Sequence, residues 1–365
     1  MILLPLLFAL LAFDSTDAGN TTGQRCPAIG GHEDFSWRVL GPSLVKEPPF
    51  PGTEAKRLLA EKDSWLRECP RNEFVWYAVL RATELASQDR KAPTDLVEAA
   101  RAAVPDSVWI ETVRARALGT VAAAEAAVRL DPKRIPGQVA LAAAYERAGD
   151  RESALRTLRP IRDLQRVAGG PLLLARVALA LGDAKLAAES AHREPGSELG
   201  LIEPVSGMLL AGEARMLEGD ARLRLGQADK ALSAYLEADL WRSVEASARL
   251  CSPTADLEHA MEARLKKSKM PEDLRGRILE YLGVHRLRTG EVASGVHLLV
   301  KALAVPNCYG GVFETLSDGG SDMRKVLEKL RADARLPTRE RMVVEDVLKT
   351  GPNTRHSEGL TVPKD

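Results

Sequence analysis

The chain has 365 residues, 45% hydrophobic and 28% charged, with Lys plus Arg and Asp plus Glu balanced at 51 each. That composition can fill a core and excludes global disorder, while a net charge of zero gives no electrostatic footprint for nucleic acid. Aromatic residues make up only 4%, so the core has to be built from Ala, Leu and Val, small side chains that suit helices packed at close range.

Met1 to Phe13 is an apolar run stopped by Asp14. A helix of about a dozen residues is too short to cross a bilayer of about 30 Å. The run matches the apolar region of a secretory signal, with Thr16-Asp17-Ala18 offering small residues around a cut after Ala18. Residues 1–18 are therefore read as a signal peptide, and the mature chain as an exported protein, periplasmic or extracellular and bacterial in style, with no transmembrane segment. Export gives meaning to the four cysteines, an early pair Cys26 and Cys69 and a late pair Cys251 and Cys308. Four cysteines allow three connectivities. The local pairings Cys26–Cys69 and Cys251–Cys308 are expected, since each ties an irregular segment to a neighbouring helix pair; four buried free thiols are the alternative.

Residues 19–52 are rich in Pro and Gly, which block any long helix. With Phe35, Trp37 and Phe50 followed by Trp65, Phe74, Trp76 and Tyr77, they read as an irregular cap that seals the end of an array, a ligand-binding aromatic surface being the alternative. From Thr53 the helical reading is nearly continuous. Helices are expected to Cys69, over Asn72–Ser87 and Thr94–Val104, and as a pair from Asp106 or Ser107 to Leu130. Pro132 stops that pair, because proline disfavours helix in the residue before it. Glu194–Ser206 collects Pro and Gly and reads as an insertion. Met208–Leu225 with Ala228–Leu240 follows, then Arg242–Cys251 with Thr254–Lys267 as a degenerate unit. Pro271–Thr289 with Val292–Leu303 comes next. Helices at Asp322–Ala334 and Thr338–Leu348 close the array at about residue 349, and the polar residues 350–365 are expected to be disordered.

Within this array one frame recurs: a small-residue helix, a turn carrying Gly, and a second helix opening on Ala. It centres on Gly149, Gly182, Gly226 and Gly290, spaced 33, 44 and 64 residues apart. With one insertion and one degenerate unit, these gaps are multiples of about 34, the period of paired-helix arrays.

Aligned on those glycines, the small positions fall at Ala142 and Ala154, Ala175 and Ala187, Gly219 and Ala231, and Gly283 and Gly295, with Tyr145 at the position where an aromatic is usual. In this the chain resembles the tetratricopeptide repeat (TPR) family, well over residues 136–305 and more loosely over 54–132 and 309–349. Arg222 and Arg286 stand where the family has an aromatic, and the spacing is uneven. The resemblance implies an all-α fold, a right-handed α-solenoid of paired antiparallel helices, whose concave groove is lined by the first helix of each pair and binds a protein or peptide. It places Val139, Ala143, Glu146, Arg147, Arg176, Asp220, Arg224, Glu280 and Arg288 on that groove. Val139 and Ala143 replace two of the residues with which some members clamp a terminal carboxylate, which disfavours a chaperone-tail receptor.

No chemistry declares itself. The six histidines form no HExxH pair, and no nucleophile elbow, phosphate-binding loop or dinucleotide fingerprint is present. No cofactor and no metal are expected. The reading is a non-enzymatic protein-binding scaffold of the cell envelope or secretion machinery. A peptidoglycan- or polysaccharide-associated assembly factor and an enzyme with an unrecognised site are the alternatives.

Overall fold

The computed structural model describes residues 59–87, 91–167, 169–194, 204–240, 243–305 and 310–350. The expected signal peptide, the cap at 19–52 and the tail beyond 350 lie outside the described residues, as do Cys26 and Cys308. Among the described residues the fold is all-helical, without strands. Eighteen α-helices pack consecutively along the chain, as in an α-solenoid. In chain order they are α1 (Lys62–Glu68), α2 (Glu73–Ala86), α3 (Thr94–Ala103), α4 (Val108–Leu118), α5 (Val121–Leu130), α6 (Ile135–Arg147), α7 (Arg151–Leu158), α8 (Gly170–Ala180) and α9 (Ala184–His192). Then come α10 (Pro204–Arg224), α11 (Ala228–Leu240), α12 (Val244–Cys251), α13 (Ala255–Leu265), α14 (Glu272–Arg288), α15 (Val292–Leu303), α16 (Gly310–Ser317), α17 (Ser321–Ala332) and α18 (Thr338–Thr350). None is long and apolar enough to cross a membrane.

The four turn glycines all take a left-handed conformation, with φ of 84°, 88°, 69° and 85° at Gly149, Gly182, Gly226 and Gly290. Each stands just past the end of a first helix, and the next amide donates to a carbonyl five residues back. Asp150 donates to Tyr145 (2.9 Å), Asp183 to Ala178 (2.9 Å), Gln227 to Arg222 (2.9 Å) and Glu291 to Arg286 (2.8 Å). Only glycine adopts this geometry at little cost, and the bond satisfies a helix-end carbonyl. In two hairpins the following residue also starts the second helix: Asp150 and Asp183 accept from the amides of Ser153 and Leu186 at 3.0 Å. In the other two the longer Gln227 and Glu291 reach back instead, accepting from Arg222 (3.0 Å) and Arg286 (2.8 Å). That contact accounts for the arginines at the aromatic position of the frame.

Across each hairpin the small residues meet. Ala142, Ala154, Ala175, Ala187 and Ala231 are fully buried. Gly219 lies against the ring of Tyr235, and a Cβ on Gly283 would come within 2.6 Å of Leu299 and 3.2 Å of the Gly295 carbonyl. The pairs α4/α5, α6/α7, α8/α9, α10/α11 and α14/α15 are joined in this intimate way. The first helices α2, α4, α6, α8 and α10 also touch one another in series, whereas over this stretch no comparable contact joins the second helices α3, α5, α7, α9 and α11. The layer of first helices is therefore the tighter one.

Two expectations are corrected here, and one segment without an assigned element is helical. The helix after the insertion begins at Pro204, earlier than Met208, because proline is tolerated in a first helical turn, where its missing N–H costs nothing. The segment after Cys308 is helical over Gly310–Ser317 and packs on α15 and α18. The degenerate unit does not close as a hairpin: α12 and α13 each pack on α11 and α14 more than on each other. Their junction is Ser252-Pro253-Thr254, which has no glycine to turn on, and Thr254 simply caps α13 through the Leu257 amide (3.4 Å).

Candidate functional site

The expected groove residues stand on the first helices α6, α8, α10 and α14, and their polar members have distinct partners. Glu146 of α6 accepts from Arg176 of α8 at 2.9 Å, and Arg176 also pairs with Glu213 of α10 at 3.5 Å. This chain of charges ties three consecutive first helices together. Asp220 of α10 accepts from the Tyr235 hydroxyl at 2.6 Å and from Arg249 of α12 at 3.2 Å. Burial first, and then the bond to Asp220, push the Tyr235 phenol well above its ordinary range, so it stays protonated and donates to Asp220. Val139 and Ala143 are half-buried against the apolar cluster around Leu158 and Leu173 and contribute little to a binding surface.

Arg147, Arg224 and Arg288 occupy the same place in the frame, two residues before the turn glycine. All three are exposed, and among the described residues none has an ion pair. Arg224 donates to the Leu179 carbonyl at the end of α8 (2.7 Å), and Arg288 to the Ser252 hydroxyl just past the end of α12 (3.2 Å). Arg147 donates to the Ala143 carbonyl (3.2 Å), and its guanidinium lies against Gly119 at the end of α4. Each cation thus reaches the C-terminal end of a preceding helix, where the macrodipole favours positive charge. The sequence frame placed these arginines on one row without showing that second role.

The unclosed unit gathers a second polar cluster. Arg277 of α14 donates to the Leu236 carbonyl (2.8 Å) and pairs with Asp239 at the end of α11, and Asp239 also accepts from Ser247 of α12 (2.5 Å). Glu280 stands beside them, half-buried, its carboxyl pushed up by burial and by the Asp239 charge and pulled back only by Arg277. Cys251 faces the same space. It is a free thiol, which corrects the expected Cys251–Cys308 bond: its sulfur packs against the core that α12 shares with α11 and α14. Burial raises the thiol above its ordinary range, so it is a weak nucleophile. Cys69 is 2% exposed, and its expected partner Cys26 lies outside the described residues.

The described aromatics of the expected end cap are anchored by hydrogen bonds and ring contacts. Trp76 is buried and donates to the Pro70 carbonyl (2.9 Å), Tyr77 and Trp109 meet with ring centroids 5.0 Å apart, and the Arg134 guanidinium lies 3.2 Å over Trp109. Trp109 and Arg134 were not foreseen as part of this cluster. Among the described residues no group of three or more His, Cys, Asp or Glu side chains could hold a metal ion. The histidines of the α14/α15 hairpin go separate ways, His285 toward Glu258 (3.8 Å) and His297 onto the Ala293 carbonyl (2.7 Å).

Compared with known proteins, the chain matches no family model and no curated protein sequence. What the site can do rests on its own geometry: first helices that carry exposed arginines without an ion pair among the described residues, and a half-buried polar cluster between α11, α12 and α14.

Proposed function

We propose that this protein is an exported, non-enzymatic scaffold of the bacterial cell envelope or secretion machinery, a right-handed solenoid of the TPR type that holds a partner protein along its first helices. The observation that carries this reading is the set Arg147, Arg224 and Arg288, which takes the same place in three of the four glycine-turn hairpins, exposed at the ends of first helices. A repeated frame presents the same side chain at regular intervals along an extended surface, which suits a partner segment running along the array. Cations without carboxylate partners can donate charge-assisted hydrogen bonds to that partner's acidic groups. Signal cleavage after Ala18 and a Cys26–Cys69 bond belong to the same proposal, because a disulfide persists in an oxidising compartment.

The test is affinity capture from an envelope extract with residues 19–365 as bait, repeated with R147E/R288E. Both residues are exposed, so helicity by circular dichroism should be unchanged. A protein partner captured in stoichiometric amount by the parent and weakened about tenfold or more by the variant supports the reading. Equal capture by both proteins sinks the groove assignment, and recovery of glycan fragments alone sinks the protein-scaffold reading.

A further inference from the structure

A second surface lies away from the arginine row, where the second helices α13 and α15 meet α14 and the start of α18. A groove of about 650 Å³ opens there to solvent. Its floor is apolar: Leu279 is 8% exposed, Leu265 and Leu298 belong to the edge of the core around Tyr235 and Met261, and Val305 closes one end. Three cations stand around it on three different helices, Arg275 on α14, Lys301 on α15 and Arg339 on α18, against a single acid, Glu340. Among the described residues none of these four has an ion pair; Arg275 is held by the carbonyls of Leu265 and Lys267, both at 3.3 Å.

We infer that this groove is a docking site for a short acidic peptide segment of a partner protein, one that seats an apolar side chain on the Leu279, Leu298 and Val305 floor between flanking carboxylates. Its volume falls in the range of ligand sites, and its floor is apolar. The net charge of the lining is positive, which selects anionic partners. The distribution of that charge distinguishes between kinds of anion. A lipid with one head group would meet one cation at one end, whereas cations spread over three helices match carboxylates placed on both sides of an apolar residue. The inference does not rest on the scaffold reading, since it uses a different face and different residues.

The test uses the full mature chain and a fluorescein-labelled hexapeptide of sequence aspartate, glutamate, leucine, leucine, aspartate, glutamate, followed by fluorescence anisotropy. Saturable binding is expected, weakening as salt rises. K301E/R339E should weaken it about tenfold and improve binding of the matching peptide with lysine in place of every acid. Lys301 and Arg339 are exposed; if the double charge reversal nonetheless perturbs folding, K301Q/R339Q with the same probe gives the answer, with a smaller loss expected. No saturable binding, or binding unchanged in a folded variant, overturns the proposal. So does displacement of the peptide by palmitate, or self-association of the chain that K301E/R339E abolishes, since each names a different occupant.

Discussion

Two neighbouring parts of the array differ in how they close. In the α14/α15 hairpin Gly283 and Gly295 bring the two backbones together, and Gly290 supplies the left-handed turn. In α12 and α13 neither helix contains a glycine and the junction is Ser252-Pro253-Thr254, so the two helices lean on their neighbours more than on each other. The closed hairpin buries apolar side chains such as Leu299 completely. The open unit leaves room for Asp239, Arg277, Glu280 and Cys251 to stand half-buried together. Where the glycine contact is missing, a half-buried polar cluster stands between α11, α12 and α14.

The comparison breaks most visibly at its tightest contact. Gly283→Val would push a branched side chain into Leu299, which is fully buried and cannot yield, and toward the Gly295 carbonyl. Overpacking of this kind should cost about 3 kcal/mol, read as a lowered midpoint in thermal or urea unfolding. Ala248→Val on α12, where the side chain is exposed, should change stability by no more than about 0.5 kcal/mol. Comparable losses at both positions would show that α12 is packed as closely as α14 and would remove the distinction.

A smaller effect sharpens it. No heavy atom lies within 4 Å of a Cβ added to Gly149, Gly182, Gly226 or Gly290, so Gly→Ala at each tests backbone conformation alone. The cost should be about 1 kcal/mol at every one of the four. A substitution that costs nothing would mean that its hairpin turns by some other route.

Much of the helical layout was legible because it depends on local signals. The turn glycines, the stop at Pro132 and the small residues facing one another all follow from backbone sterics and side-chain volume within a few residues of chain. What the sequence concealed depends on distance in space. The charge chain from Glu146 through Arg176 to Glu213 could not be read from spacing, nor could the contact of Arg224 with the Leu179 carbonyl. Buried Glu194 is a third case, capping α8 from beyond the end of α9 by accepting from the amides of Gly169 and Leu172 at 3.0 Å each. The expected second disulfide failed for the same reason: Cys251 is recruited to a core whose composition is fixed by α11 and α14. The aromatic position of the frame misled in the opposite sense. Arg222 and Arg286 looked like departures from a pattern, yet each serves its own turn through Gln227 and Glu291.

The polar cluster offers the subtlest way to sharpen the comparison, through pH. Burial and the neighbouring Asp239 charge raise the Glu280 carboxyl above its unfolded value, against the pull of Arg277. The folded protein therefore binds a proton at this site more tightly than the unfolded chain does, so stability from this group is present below the unfolded carboxylate pKa and lost as pH rises through the folded one. Glu280→Gln keeps the shape and removes the titration. It should be more stable than the parent at pH 7, and the difference should shrink as pH falls toward 4.5, the parent gaining what the variant cannot. The measurement is urea unfolding of both proteins from pH 4.5 to 7.5. A constant difference across that range would mean that Glu280 is as well solvated as an ordinary surface carboxylate, and that the opening between α12 and α13 is filled by water rather than by protein.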